Sequence, residues 1–370
     1  MKYYIIAGEA SGDLHGSNLI KELHHCDARA NIRCWGGDKM EAAGAQLVKH
    51  YRQLAFMGFA EVLKNLPTIL KNLAFCKKDI LQFEPDVLVL IDYPGFNLRI
   101  AKWARQQGIK VAWYISPQVW AWKESRVKAI KRDIDKMFVI LPFEKAFYQK
   151  WQYDVEYVGH PLVKVIDGYT PEVELKQDKS IIALLPGSRK QEITIKLPLM
   201  LAASVNFPGY QFMVAKAPGI EDAFYTSMLA AYPHVKTVTG QTYSLLYSAT
   251  AALVTSGTAT LETALFGVPQ VVCYKGSAIS YQVAKRLIKI KYISLVNLIM
   301  DKPVVTELIQ DALTAANITT ELGCILNQPE KALQIKKDYA ALRQLLSQGG
   351  DASAATAAGI YQLACNNSCT

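Results

Sequence analysis

Runs of apolar residues alternate with helical patterns along the whole chain. A first series of strand-like runs covers residues 3–7, 86–91, 110–115, 136–141 and 155–158, and a second covers 180–185, 210–215, 235–238, 251–255 and 270–274. These runs are nearly continuously hydrophobic, as expected for parallel strands that helices cover on both faces. The pattern therefore predicts an α/β protein with two open, doubly wound parallel sheets.

A polar stretch of weak periodicity, residues 167–179, separates the two series and is interpreted as a linker. The 370 residues also exceed the usual size of one hydrophobic core. We predict a Rossmann-like N-terminal domain at 1–168, a Rossmann-like C-terminal domain at 169–345, and a helix and tail at 346–370 that can pack back on the first domain. The carboxyl ends of both sets of strands are expected to face a central cleft.

The segment 249–275 has the clearest chemical signal. Its apolar strand ends at Ser256-Gly257-Thr258, and a short helix that contains Glu262 follows directly. The free N–H groups and positive dipole end of such a helix attract phosphate oxygens. Glu262 lies about one turn further, where a carboxylate can accept hydrogen bonds from a vicinal diol such as a ribose. The structural alternative is a capping glutamate, but a capping box from Thr258 would need Glu or Gln at position 261, which is leucine.

Two more polar residues follow apolar runs of the second series. Arg189 ends the turn 186–189 after the strand 180–185, where its guanidinium can clamp a diphosphate and stabilise the charge on it as a leaving group. Asn297 follows the run 292–296 and can contact a base or a sugar. Both residues are therefore candidates for nucleotide binding.

The first βα turn, residues 8–13, matches neither the dinucleotide-binding fingerprint nor the Walker A spacing, so NAD and ATP lose their main support. We expect the helix that follows to begin near Leu14. Asp13 can be an ordinary N-cap, whereas Glu9 lies before the turn, where no cap is needed, and is the better functional candidate.

Asp92 comes directly after the strand 86–91, in a loop held by Pro94 and Gly95. This placement is typical of a catalytic carboxylate on a rigid support. An aspartate that only initiates the turn is the alternative.

Three tryptophans and a cluster of cations lie between residues 113 and 132, including Trp122, Lys123 and Arg126. An anionic ligand next to an apolar one fits this pattern, and so does a solvated basic helix face. Nucleic acid is not expected, because no recognition module accompanies the segment. The pair Asp133 and Asp135 has the spacing of a metal-binding Asp-x-Asp motif. It lies at the start of a predicted strand, however, whereas a metal-binding pair is expected after the end of one, so no metal is predicted.

The stretch 54–83 is mostly apolar, with lysines at 64, 71, 77 and 78 and no acidic residue between 64 and 79. Pro67 is predicted to split it into two short helices. The pattern suits shallow insertion into an anionic membrane surface or a groove for acyl chains, with Leu66, Ile69 and Lys71 among the contacting residues. Burial inside the domain is the alternative.

Composition narrows the class of protein. The chain carries 41 Lys and Arg against 32 Asp and Glu, a net charge of +9 that favours acidic partners such as phosphates or an anionic membrane. No stretch has the length and apolarity of a membrane span, and no signal-peptide pattern follows Met1. The seven cysteines are scattered without a Cys-x-x-Cys motif, as in a reducing compartment. These features predict a cytoplasmic protein.

Several motifs together resemble lipid-A-disaccharide synthases. They are AGEASGD at 7–13, SPQVWAW at 116–122, LPFE at 141–144, LPGSR at 185–189, SGTA at 256–259, and YISL at 292–295 with Asn297. The resemblance covers nearly the whole chain. It implies a GT-B glycosyltransferase that needs no metal or cofactor, inverts the anomeric centre, and works at the cytoplasmic face of the bacterial inner membrane.

The resemblance further implies the substrates. UDP-2,3-diacylglucosamine would be joined to 2,3-diacylglucosamine 1-phosphate, giving the β(1→6) disaccharide and UDP, with UDP bound by the second domain. Asp92 is then the first choice for the base and Glu9 the second, because a partly closed cleft can raise the pKa of a carboxyl toward neutrality. Ser11, Asp13, Trp122, Lys123 and Arg126 are candidates for the acceptor or the membrane.

Two alternatives remain open at this point. One is another GT-B-type enzyme that acts on UDP-N-acetylglucosamine, and the other is a non-catalytic protein that binds polyanions or membranes. The oligomeric state does not follow from the sequence.

Overall fold

The computed structural model describes residues 1–54, 66–171, 175, 178–276 and 291–365. Its contacts divide the chain into two compact units. Unit 1 comprises Met1–Pro161 together with the chain from Leu346 onward, and unit 2 comprises Leu162–Leu345.

Unit 1 is built on seven parallel strands. They are β1 (Lys2–Ala7), β2 (Asn31–Gly36), β3 (Gln46–His50), β4 (Val87–Ile91), β5 (Val111–Tyr114), β6 (Lys136–Val139) and β7 (Glu156–Tyr157). The helices are α1 (Ala10–Cys26), α2 (Asp38–Ala42), α3 (Leu66–Phe83), α4 (Pro94–Gln106), α5 (Val119–Trp122), α6 (Val127–Asp133) and α7 (Pro142–Gln149). The strand order is β3-β2-β1-β4-β5-β6-β7, so the chain winds outward from β1 in both directions, as in doubly wound folds.

The helix α8 (Pro161–Asp167) starts at the last residue of the first segment of unit 1 and leads into unit 2. Unit 2 contains six parallel strands: β8 (Ile181–Leu185), β9 (Gln211–Lys216), β10 (Val235–Thr239), β11 (Ala249–Thr255), β12 (Gln270–Tyr274) and β13 (Thr306–Ile309). Its other helices are α9 (Lys190–Ser204), α10 (Asp222–Leu229), α11 (Thr242–Ser248), α12 (Thr258–Leu265), α13 (Leu295–Met300), α14 (Ala315–Asn327) and α15 (Pro329–Ser347). The strand order is β10-β9-β8-β11-β12-β13.

All ten predicted strands are present, and the prediction of two parallel α/β sheets is confirmed. Strands β2, β3 and β13 were not predicted. β3 and β13 are edge strands, and the three contain polar residues such as Arg33, Lys49 and Glu307. A strand that helices do not bury completely lacks the continuous apolar run by which the others were recognised.

The last helix, α16 (Ala352–Cys365), returns to unit 1 and packs against α1. The approach depends on Gly349, since a Cβ atom there would lie 1.9 Å from the backbone nitrogen of Gly159. Only a residue without a side chain fits so close to another backbone.

Of the predicted linker 167–179, residues 172–174, 176 and 177 lie outside the described residues.

Two helices differ from their predicted bounds. α1 begins at Ala10, before the predicted start near Leu14, so Glu9 occupies its N-cap position. α3 is continuous from Leu66, and Pro67 lies in its first turn, where a missing N–H costs no helical hydrogen bond. The first of the two predicted short helices, with Leu63 and Lys64, falls on residues 55–65, outside the described residues. Among the described helices, none has both the length and the apolar character needed to cross a bilayer.

Candidate active site

The candidate bases of unit 1 and most of the predicted nucleotide contacts of unit 2 follow strands that flank a reversal in strand order. In unit 1, β1 and β4 are neighbours, with Ala7 opposite Ile91, so Glu9 and Asp92 both follow the paired carboxyl ends. In unit 2, β8 and β11 are neighbours, with Leu185 opposite Val254. Ligands of open α/β sheets bind in the crevice at such points, so each unit carries its candidate residues where a ligand is expected.

Asp92 has the environment of a general base. Its backbone and that of Tyr93 are left-handed, with φ values of 42° and 50°, a conformation that non-glycine residues adopt only under constraint. Burial raises the pKa of the Asp92 carboxyl to about 7, and the charge of Glu9 acts in the same direction. A carboxyl with this pKa can take a proton at physiological pH.

Glu9 and Ser11 are exposed at the start of α1. The Glu9 side chain makes no capping hydrogen bond although it occupies the N-cap position. It therefore stays available next to Asp92, as the second candidate for the base.

Asp13 has a different role from the predicted one. It is buried, and its carboxylate accepts hydrogen bonds from the amides of Gly37, Lys39 and Met40 at 2.8, 3.2 and 3.0 Å. Those amides lie at the start of α2, so Asp13 caps a neighbouring helix and not its own. Both oxygens of Asp13 are engaged in this way, so the geometry favours a structural role for Asp13 over the predicted acceptor contact.

Trp122 is a large, exposed aromatic side chain flanked by cations. It is 46% exposed, the Lys123 amine lies 4.4 Å from its ring centroid, and the Arg126 guanidinium lies 5.4 Å away. The preceding segment is anchored by Glu144, whose Oε1 accepts from the indole of Trp120 at 3.2 Å. An exposed aromatic with two adjacent cations suits a ligand with an apolar part and a phosphate.

The pair Asp133 and Asp135 is committed to other contacts. Arg132 binds Asp133 at 2.6 Å, and Arg105 binds Asp135 at 2.6 Å. The second oxygen of Asp135 also accepts from the amide of Val111 at 2.8 Å. Asp135 thus links the start of β6 to β5 and α4, whereas Asp133 pairs with its neighbour on α6.

A cavity of about 480 Å³ lies at the carboxyl ends of β8 and β11 and brings most of the predicted nucleotide contacts together. Its lining includes the predicted Arg189, Ser256, Gly257, Thr258 and Glu262. Arg189 is the N-cap of α9, and its side chain is 58% exposed, with the carboxylate of Glu192 3.8 Å away. This long contact leaves most of the guanidinium exposed, so it can also contact an anion in this cavity.

The turn at 256–258 has the geometry of an anion site. Gly257 has a φ of 136°, a value suited to glycine, and α12 starts at the next residue. The first amides of a helix have no partner inside it, so they can donate to an anion. The Ser256 hydroxyl donates to the carbonyl of Ile293 at 3.1 Å, which ties the turn to the loop before α13.

Glu262 lies one turn into α12, beside Tyr243. The Tyr243 hydroxyl donates to Oε1 at 2.9 Å, whereas Oε2 accepts no hydrogen bond from the described residues. Burial raises the pKa of Glu262, and the bond from Tyr243 opposes that shift. Tyr243 thus orients the carboxylate and leaves one oxygen for a diol, a role that the sequence did not reveal.

Asn297 is buried inside α13 and serves the protein itself. Its Nδ2 donates to the carbonyl of Val305 and to Glu307 Oε1, both at 2.9 Å, and its Oδ1 accepts from the amide of Val305 at 2.9 Å. Since both N–H bonds are used, the side chain has no donor left for a base or a sugar. The geometry favours a structural role over the predicted ligand contact.

Glu307, on the edge strand β13, is the centre of that network. Its carboxylate also accepts from the amides of Ile293 and Ser294 at 3.0 and 2.9 Å, and from the Ser294 hydroxyl at 2.7 Å. One side chain therefore holds the loop 293–297 to which the Ser256 turn is tied. The sequence carries no signal for this role, because a short edge strand was not recognised there.

One face of α3 is core and another is exposed. Leu73, Cys76, Ile80 and Phe83 are buried at helical spacing, and Ile69 packs against the same core. Leu70, Phe75 and Leu81 are large apolar side chains that are 56, 47 and 50% exposed, and Lys71 is exposed with them. Ile69 therefore does not belong to the outward surface, and the side chain of Leu66 lies outside the described residues.

Other cavities hold fewer predicted residues. One of about 490 Å³ lies at the amino ends of β8, β9 and β10, and its lining contains none of the candidates. Another, of about 550 Å³, is lined in part by Asn297 and Glu307.

The sequence and the fold were compared with known proteins. The family model described as lipid-A-disaccharide synthetase matches residues 3–360. The lipid-A-disaccharide synthase of Syntrophus aciditrophicus (strain SB) is 40% identical over 363 residues, 95% of each chain. That of Geobacter metallireducens is 40% identical over 357 residues, 94% of this chain and 93% of the relative.

Solved structures agree on the fold. The UDP-GlcNAc 2-epimerase of Neisseria meningitidis, bound to UDP-GlcNAc, superimposes with a TM-score of 0.67 at 12% identity, over 98% of this chain and all of that one. The glycotransferase of kitacinnamycin superimposes with a TM-score of 0.69 at 13% identity, over 98% of both chains. At such low identity these likenesses concern the fold alone, and they confirm the predicted GT-B architecture. The family match and the close relatives span nearly the whole chain, so it belongs to the lipid-A-disaccharide synthase family and has that enzymatic activity.

Proposed function

We propose that this enzyme transfers the sugar of UDP-2,3-diacylglucosamine to the 6-hydroxyl of 2,3-diacylglucosamine 1-phosphate in one inverting displacement. The observation that carries the mechanism is the Asp92 carboxyl, with a pKa of about 7, at the carboxyl end of the unit 1 sheet. A general base for a sugar hydroxyl needs this combination of placement and pKa.

Unit 2 binds the donor. The amides at the start of α12 and the Arg189 guanidinium contact the diphosphate, and Glu262 Oε2 accepts from the ribose diol. Without a metal ion, these groups alone stabilise the negative charge that develops on the leaving UDP. The cavity of about 480 Å³ at the carboxyl ends of β8 and β11 has room for the nucleotide.

Unit 1 supplies the base. Asp92 takes the proton of the acceptor 6-hydroxyl as the oxygen attacks the anomeric carbon from the face opposite UDP. The bond from that carbon to the diphosphate breaks, and the electron pair leaves with UDP. One displacement inverts the centre, which gives the β(1→6) linkage. Glu9 remains the alternative base, with Ser11 beside it as an acceptor contact.

The acyl chains and the acceptor phosphate have their own surfaces. Trp122, Lys123 and Arg126 combine an exposed aromatic with two cations and are assigned to the acceptor phosphate and adjacent lipid. The outer face of α3, defined by Leu70, Phe75, Leu81 and Lys71, docks on the anionic cytoplasmic face of the inner membrane. Apolar side chains next to cations bind such an interface by insertion and by charge attraction.

The test is UDP release from UDP-2,3-diacylglucosamine with and without the lipid acceptor. We expect release only when both are present, and it should survive EDTA because Asp133 and Asp135 are paired with arginines. Release from UDP-N-acetylglucosamine alone would instead favour the epimerase-like alternative. Binding of substrates or vesicles without any release would favour the non-catalytic one.

A further inference from the structure

A buried lysine lies behind the turn at 256–258. Lys196, on α9, is 3% exposed, and its Nζ donates to the hydroxyl oxygen of Thr255, the last residue of β11. No carboxylate of the described residues lies within 4.0 Å of this amine. The charges of Glu192, one turn earlier, and of the buried Cys273 favour the charged lysine, but Glu192 also pairs with Arg189 and accepts from the amide of Ser188.

A buried ammonium without a close anion is costly, and burial correspondingly lowers the pKa of Lys196. If Lys196 served only to fill space, an apolar side chain of similar length could replace it without loss of stability. The position of Lys196 therefore calls for an anion that the protein does not itself supply at close range.

The hydrogen bond to Thr255 also sets the direction of a proton. An ammonium group has donors and no acceptor, so the Thr255 hydroxyl oxygen must accept from Lys196. The hydroxyl hydrogen then points away from Lys196. Thr255 lines the cavity that contains Ser256, Gly257 and Thr258, so this hydrogen is available to a ligand there.

We propose that Lys196 is a positioning residue of the donor site: it directs the Thr255 hydroxyl toward the diphosphate of a nucleoside diphosphate sugar and supplies a buried positive charge behind it. The proposal rests on the proposed function, which places that diphosphate at the 256–258 turn. The charge is unfavourable in the empty site and becomes favourable when the anion binds.

The experiment compares Lys196→Met, Thr255→Val and the double variant with the wild type, by calorimetric binding of UDP, UMP and uridine. We expect Lys196→Met to weaken UDP binding about tenfold, as for loss of a charge-assisted contact, and to change uridine binding less than about twofold. Thr255→Val alone should also weaken UDP binding. Combined with Lys196→Met it should cause little further loss of affinity, because both changes remove the same contact.

Thermal melting of the ligand-free variants separates a positioning role from a structural one, because loss of a purely structural lysine would lower the melting temperature. Lys196→Met should melt at the wild-type temperature or above it, since it removes an uncompensated buried charge. The control is Lys179→Met, at the amino end of β8, whose exposed amine contacts the carbonyl of Pro208. It should bind UDP like the wild type.

Three results would overturn the proposal. They are unchanged UDP affinity in Lys196→Met, an equal loss of UDP and uridine affinity, and a lowered melting temperature without a selective loss of UDP. If the wild type binds no UDP, the proposed function itself fails and this inference fails with it. If the wild type binds UDP and Lys196→Met binds it with the same affinity, only this inference is refuted and the proposed function stands.

Discussion

The side-chain amide of Asn97 donates to the backbone carbonyl of Asp92 at 2.8 Å. The same nitrogen lies 3.3 and 3.4 Å from the carbonyls of Ile91 and Ile6, at the ends of β4 and β1. Asn97 thus joins the two strands of the reversal point and holds Asp92 in its left-handed conformation. The proposed base, Asp92, is therefore held by a fixed support, so its position does not have to be organised when the acceptor binds.

Replacing the base should remove most of the activity. Asp92→Asn keeps the shape of the side chain and loses the proton acceptor, so kcat should fall about 100-fold to 10,000-fold. Steady-state kinetics of UDP release measures this, with UDP affinity as the control for an intact unit 2. A variant with wild-type kcat would exclude Asp92 and leave Glu9 as the base.

The pH dependence should report on the neighbouring carboxylate. The base must be deprotonated, so kcat/KM of the wild type should rise with pH and level off above about 7, the pKa of Asp92. Glu9→Gln removes the like charge that helps to raise this pKa, so the rise should move to lower pH. The shift should be partial, because burial is the larger cause and remains. An unmoved profile would show that Glu9 does not act on the base.

Arg189→Ala should lower kcat about 100-fold, since one preformed charge contact to a leaving group contributes on the order of 3 kcal/mol to transition-state stabilisation. The matched control is Arg52→Ala, which removes an exposed arginine paired with Asp38 in unit 1. Both variants should melt like the wild type. Equal kinetics for the two would place Arg189 outside the site.

Glu307→Gln should disturb the loop before α13. The amide puts a donor where the carboxylate accepts four hydrogen bonds, from the amides of Ile293 and Ser294, the Ser294 hydroxyl and Asn297 Nδ2. We expect a loss of about 1–3 kcal/mol of unfolding free energy, measured by chemical denaturation. Glu321→Gln, at a residue that pairs with Lys331 nearer the surface, should cost less. Equal losses would contradict the central role of Glu307.

The exposed face of α3 can be separated from its buried face by mutation. Replacing Leu70, Phe75 and Leu81 by serine should weaken binding to anionic vesicles and leave the fold intact, because these side chains are already largely exposed. Leu73→Ala, on the same helix, is the matched control and should lose about 2–5 kcal/mol of stability with vesicle binding retained by the folded protein. Unchanged vesicle binding by the triple variant would move the membrane contact to the Trp122 surface.

Much of the fold and part of the site followed from local sequence. The strands that helices cover on both faces, such as Val87–Ile91 and Ile181–Leu185, are continuous apolar runs, so they could be predicted. Asp92, which comes directly after such a strand, and Arg189, which ends the turn after another, could be placed at the carboxyl edge for the same reason. The motifs then identified the family, which the comparisons confirmed.

Side chains that act across the chain could not be predicted. Asp13 caps a helix that starts 25 residues later, and Glu307 holds a loop that precedes it, so neither role leaves a local pattern. The same is true of Tyr243 at Glu262, and of the two faces of α3, since helical spacing shows that a helix is amphipathic but not what covers each side. Sequence determined the strands, the turns and the chemical groups at their ends, because these depend on neighbouring residues. Tertiary structure decided which of those groups remain free for a ligand, because that depends on the hydrogen-bond partners that folding brings from distant parts of the chain.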